Sequence, residues 1–193
     1  MRFFETVTDL RSGTELLVRR SYGVIEMADG VLRRVRFRPY PKIISSPEMA
    51  LFGSRFHGKA RGDRLWLYYN QPRRFSNFLV LKYVVSARET SLGSLTRALD
   101  ALDYIARLKR SDALLCEAAN WRVSTELIAR WGWTPHCASR WHRHYIKRFY
   151  GVYPPLAKWI VKPAAESELV CGPASICVPN TTSSPIPLGE RTR

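Results

Sequence analysis

The side chains most able to do chemistry in this 193-residue chain crowd together near its end. Arg140-Trp141-His142-Arg143-His144-Tyr145-Ile146-Lys147-Arg148-Phe149-Tyr150 interleaves cations with rings, and no acidic residue falls between Arg130 and Tyr150. Cations for phosphates and rings for bases are how single-stranded nucleic acid is held, so Arg140, Arg143, Lys147 and Arg148 are candidate contacts to nucleic acid or another polyanion. The rings read better as one side of a strand packed on helices, because Trp141, Tyr145 and Phe149 alternate in step. No RNA-recognition, KH, zinc-finger or helix-turn-helix signature accompanies them. His136, Cys137, His142 and His144 raise the question of a metal. His142 and His144 would share a face on a strand, but no nearby carboxylate completes a ligand set. No metal is therefore expected, and the histidines read as part of a basic surface.

The elements that must position these groups lie just before them. Residues 77–86, Asn-Phe-Leu-Val-Leu-Lys-Tyr-Val-Val-Ser, are dense in β-branched and aromatic side chains and read as a strand. From about Ser91 to Arg110, Leu92, Leu95, Leu99, Leu102 and Ala106 recur at steps of three and four, the mark of an amphipathic helix. Ala113-Leu114-Leu115-Cys116 is too short for a helix and reads as a buried strand. Arg122 to Trp131 repeats the helical spacing and stops at Gly132. Two strands joined by a crossover helix must run parallel.

Upstream, Glu15–Arg20 and Gly23–Met27 are strand-like. Ala28-Asp29-Gly30 is a turn signal, and Val31–Phe37 alternates apolar with basic residues, which makes a hairpin. Ser46-Pro47 is a helix start. Arg64–Tyr69 is a strand that should pair antiparallel with the one beginning near Phe78. After Pro154 the composition turns Pro-, Ser- and Thr-rich without periodicity, so 154–193 is expected to be a disordered tail on a single domain spanning 1–153.

Composition bounds the remaining choices. Hydrophobic residues make up 46% of the chain, enough for one globular core. Thirty-one Lys and Arg against 16 Asp and Glu leave a formal charge of +15, which favours an anionic partner. Cys116, Cys137, Cys171 and Cys177 form no C-x-x-C pair, so a zinc ribbon is not expected, and Cys116 reads as a small hydrophobe. The first residues carry no apolar signal region, and no apolar run is long enough to span a bilayer. A cytoplasmic protein with reduced thiols and no membrane contact is the expectation.

The order hairpin, strand, long helix, strand, short helix ending in Gly-Trp, final strand resembles the second half of the GNAT acyl-CoA N-acyltransferase fold, best over 64–150. The stretch Trp121-Arg122-Val123-Ser124-Thr125-Glu126-Leu127-Ile128-Ala129-Arg130-Trp131-Gly132-Trp133 is similar to the family phrase Asn-x-x-Ala-x-x-Leu-Tyr-x-x-x-Gly-Phe. Ser124 stands for the small residue, Leu127 matches, Gly132-Trp133 stands for Gly-Phe, and Ile128 replaces the tyrosine often used as general acid. In the family's cofactor turn, Arg/Gln-x-x-Gly-x-Gly/Ala, Thr90 takes the basic position, Gly93 the first glycine and Leu95 the second.

The resemblance implies an α/β fold with a central mixed sheet flanked by helices. It also implies acetyl-CoA or another acyl-CoA as cofactor and a small-molecule or protein amine as acceptor. Its cofactor would lie against Val85, Arg88, Ser91, Gly93 and Ser94, with phosphates on the helix N-terminus. Glu117, at the end of the second strand, would take the proton of the amine. Two readings follow: an acyl-CoA-dependent N-acyltransferase, or a module that has lost catalysis and binds nucleic acid or another polyanion through its basic 140–150 segment.

Overall fold

A strand that outruns its neighbour sets the plan of this α/β protein. The computed structural model describes residues 5–41, 62–118, 124–137 and 143–161. The chain divides into two units, Met1–Lys162 and Pro163–Arg193, and every described residue belongs to the first. In chain order its elements are β1 (Thr6–Val7), α1 (Thr14–Arg19), β2 (Tyr22–Ala28), β3 (Val31–Phe37), β4 (Arg64–Asn70), β5 (Phe78–Ser86), α2 (Leu92–Leu108), β6 (Ala113–Glu117), α3 (Thr125–Arg130), β7 (Thr134–Pro135), β8 (His144–Arg148) and α4 (Lys158–Val161). The eight strands form one mixed sheet in the order β1-β3-β2-β4-β5-β6-β8-β7.

Local chemistry explains most of these elements. Asp29 and Gly30 both take positive φ, 54° and 71°, the backbone that a two-residue hairpin turn between β2 and β3 requires. In β4, Leu65, Leu67 and Tyr69 are buried while Trp66 and Tyr68 are half-buried, so the period of two survives in the fold. β4 and β5 pair antiparallel, as their short connection implies, and β5 pairs parallel with β6 from Phe78↔Ala113 to Leu81↔Cys116. Helix α2 crosses between them. Its Ala98, Leu99, Ala101, Leu102, Ile105 and Ala106 sink into the core.

The structure corrects several expectations. Glu15–Arg20, read as a strand, is helix α1. Glu, Leu and Arg are good helix formers and outweigh the single Val18, and Leu17 is driven wholly into the core. Leu92, counted on the buried stripe of α2, is 56% exposed, and Ser94 is buried in its place. That stripe turns inward only after the first helical turn. The second helix is shorter than its apolar spacing suggested. It starts at Thr125, where the Ser124 hydroxyl accepts the Leu127 N–H at 3.1 Å. The helix expected from Ser46 and residues Asn120–Val123 lie outside the described residues.

Residues 154–161, assigned by composition to the tail, pack on α2. Ile160 is buried, and Trp159 Nε1–H donates to Asp100 Oδ2 at 3.0 Å. Among the described residues no helix is long and apolar enough to cross a membrane. If this segment belongs to the core, Ile160→Ala should cost about 2–4 kcal/mol in denaturant unfolding. A change within about 0.5 kcal/mol, ordinary for a surface site, would contradict it.

Candidate functional site

The parallel ladder of β5 and β6 lasts four residue pairs and ends at Leu81↔Cys116, yet β5 runs on to Ser86. A register shift lies at the same point on its other side. Tyr69 pairs with Leu81 and Tyr68 with Tyr83, which leaves Lys82 opposite no residue of β4. Such a bulge bends a strand and raises its twist. It brings Tyr83 onto Tyr68, with ring centroids 4.2 Å apart and planes 20° from parallel. Burial pushes the Tyr83 phenol up, and the neighbouring Tyr68 adds to the shift. The β6-facing side of β5 therefore opens at residues 82–85, where among the described residues no strand pairs with it.

Val84 pairs with buried Leu67 and lies on the core side, so Val85 projects from the opposite face. By the same alternation Cys116 packs on the core, and burial pushes its thiol up to about 12. Glu117 then shares the face of Val85, one residue past the end of the parallel ladder. His144 lies directly across from Glu117, close enough on the same face for their side chains to interact. The His136 N–H donates to the His144 carbonyl at 2.9 Å, and His136 Nε2 lies 3.3 Å from Cys137 Sγ. Among the described residues no three His, Cys, Asp or Glu side chains gather round one point.

At the start of α2 the expected phosphate contacts meet a different partner. Ser91 caps the helix, its Oγ accepting the Ser94 N–H at 3.1 Å. The Asp63 carboxylate then accepts the Ser91 N–H at 3.1 Å and the Ser91 and Ser94 hydroxyls at 2.7 Å each. Burial alone would raise the Asp63 pKa. The hydrogen bonds from the two serines outweigh it and hold the carboxyl below its usual range. Ser94 is fully buried, and its Oγ also accepts the Gly30 N–H at 3.1 Å. Leu95, at the second glycine position of the cofactor turn, packs against the core. Gly93 is exposed, and a Cβ there would come no nearer than 3.7 Å to the Ser91 Oγ. Arg88 is exposed beside the turn. Along residues 82–85 the β6 side of β5 thus meets no described strand. The serines of the helix start do not fit a diphosphate, because a carboxylate already holds them.

The candidate cations of the basic segment are dispersed. Lys147 Nζ lies 2.6 Å from Asp103 Oδ2 of α2, with both side chains about 15% exposed. Burial raises the Asp103 pKa and the Lys147 ammonium opposes it. Lys147 is therefore a core ion pair and not an outward-facing phosphate ligand. Arg148 is exposed and donates to Thr134 Oγ1 at 3.3 Å. Arg143 is half-buried with its carbonyl accepting the Ala118 N–H at 2.8 Å, and Arg140 lies outside the described residues. Tyr145 and Phe149 are buried, as packed rings should be.

Sequence reasoning missed Asp63 as part of this site. Its partners are 28 and 31 residues away, and no local motif marks a carboxylate that caps a helix from a distant loop. Asp63→Ala should cost about 1–3 kcal/mol at neutral pH. A depressed native pKa gives stability that is present above the unfolded value of about 3.9 and is lost as pH falls through the lower native value. The gap between wild type and variant should therefore hold from neutral pH to about pH 5 and close on further acidification in urea melts. A gap that does not change with pH would contradict the ionised cap.

Neither a family model nor a curated protein matches the chain. Among solved structures it is similar to one described as the crystal structure of nourseothricin acetyltransferase. The identity is 15%, over 75% of this chain and 96% of that one, with a TM-score of 0.34. So loose a superposition transfers no function.

Proposed function

We propose that this protein is an N-acyltransferase that moves an acyl group from a thioester, acyl-CoA included, to an amine. The observation that carries the reading is the early end of the β5–β6 ladder at Leu81↔Cys116 beside a strand that continues to Ser86. An extended thioester arm laid along residues 82–85 would complete the sheet with its own amide groups, as added strands do. Backbone N–H groups near Val85 would polarise the thioester carbonyl. Glu117, on the same face and one residue past the ladder, would take the proton of the attacking amine. Nitrogen bonds to the carbonyl carbon, the C–S bond breaks, and the thiolate leaves. The similarity of 64–150 to the GNAT order of elements supports the same reading, as do Ser124, Leu127 and Gly132-Trp133. We further propose that the protein acts in the cytoplasm, with no role for the membrane.

The test is thiol release from acetyl-CoA in the presence of a panel of primary amines. Wild-type protein should release thiol only with a suitable amine, and Glu117→Gln should lower that rate by roughly 10²–10⁴-fold at neutral pH. Amine-independent release, or an unchanged Glu117→Gln rate, would contradict the proposal.

A further inference from the structure

The start of α2 poses a question that the open strand edge does not answer, namely which part of a thioester donor the protein recognises. We infer that the donor is recognised through its pantetheine-like arm and not through a nucleotide diphosphate. This inference rests on the acyltransferase reading and narrows its substrate class. A diphosphate laid on a helix N-terminus needs free donors there. Here both serine hydroxyls and the cap N–H donate to Asp63, at 2.7, 2.7 and 3.1 Å. Ser94 is wholly buried and held from its other side by the Gly30 N–H, so its hydroxyl cannot turn outward without breaking two contacts.

Nor is Asp63 on a free arm. Its carbonyl accepts the Asp29 N–H at 2.8 Å, which ties it to the β2–β3 turn. The preceding Gly62 N–H donates to Glu89 Oε2 at 3.0 Å. The following Arg64 carbonyl accepts the Ala87 N–H at 2.8 Å and the Thr90 hydroxyl at 2.7 Å. The short segment is thus fastened on both sides of the carboxylate to the turn where a phosphate would arrive. An incoming phosphate would meet the Asp63 carboxylate, with Glu89 held beside it on the Gly62 N–H; the nearby cations are Arg88 and Arg97, whose guanidinium already donates to the Gly30 carbonyl. Like charges repel at close range. Leu92 and Gly93 are exposed and could still offer their N–H groups, but an anion there would approach the carboxylate that holds neighbouring Ser91.

Calorimetry compares acetyl-CoA with S-acetylpantetheine, which lacks the nucleotide and its diphosphate. Roughly 0.3 M NaCl suppresses the diffuse attraction of a basic surface for phosphate. The full chain should bind the two with dissociation constants within about threefold, far less than the tenfold that each ~1.4 kcal/mol of phosphate contact would add. Adenosine 3′,5′-bisphosphate should not compete. Asp63→Asn, which keeps the shape of the cap and removes its charge, should tighten acetyl-CoA alone. If that variant fails to fold, the wild-type comparison still decides. A wild-type preference for acetyl-CoA of tenfold or more would overturn the inference and leave the acyltransferase reading standing. Binding of neither compound would overturn that reading and the inference with it. An Asp63→Asn protein with both affinities unchanged would overturn the role given to the carboxylate.

Discussion

Four residue pairs of parallel ladder between β5 and β6 are the constraint on which the rest of the architecture depends. Parallel strands need a crossover, and α2 supplies it. The crossover buries Leu102 and Ile105 completely, each worth about 1.5–3 kcal/mol of transfer free energy, and so fixes the helix against the sheet. Because the ladder is short, β5 projects past it. The bulge at Lys82 and the Tyr68–Tyr83 stack shape that projecting end. At that end no described strand pairs with β5 on its β6 side, and Glu117 and His144 lie next to it. The opposite ends of the same strands are closed by hydrogen bonds such as Asp112 N–H to the Asn77 carbonyl at 2.7 Å.

A second constraint acts on the helix start. An N-terminus carries partial positive charge and unsatisfied donors, and it can be satisfied from outside or from within. In this chain it is satisfied from within. Asp63 reaches it across 28 residues of sequence and binds two serines of the first turn. Ser91 and Ser94 are used here to join the β2–β3 turn, the start of β4 and the start of α2. Stability and ligand binding compete for one helix start, and Asp63 takes its serine donors. Under the proposed reading, chemistry falls to the strand edge, where backbone groups would recognise an extended arm by shape more than by charge.

The central βαβ unit was legible in the sequence because its signals are local and agree. A β-branched run, a 3.6-residue period, a short apolar strand and a glycine stop each favour one state. The hairpin at Asp29-Gly30 was legible for the same reason. What could not be read depends on distant partners. Leu92 fits the helical period but lies outside the core, because burial is decided by what packs against the first turn. Lys147 looked like one cation among several in a basic run, and only the fold brings Asp103 of α2 to it. Residues 154–161 have the composition of a tail, yet Ile160 and Trp159 find partners on a helix whose outer surface no local pattern reveals. Glu117 was placed correctly at a strand end, while His144 opposite it required the antiparallel register of β8.

The central claim is that the open edge of β5 is where the donor lies. Backbone amide chemical shifts of the full chain, followed by heteronuclear NMR while S-acetylpantetheine is added, test it most directly. Perturbations centred on residues 82–85, with the amides of Leu92 and Gly93 unmoved, are the predicted result. Shifts at the start of α2 with none along β5 would contradict it.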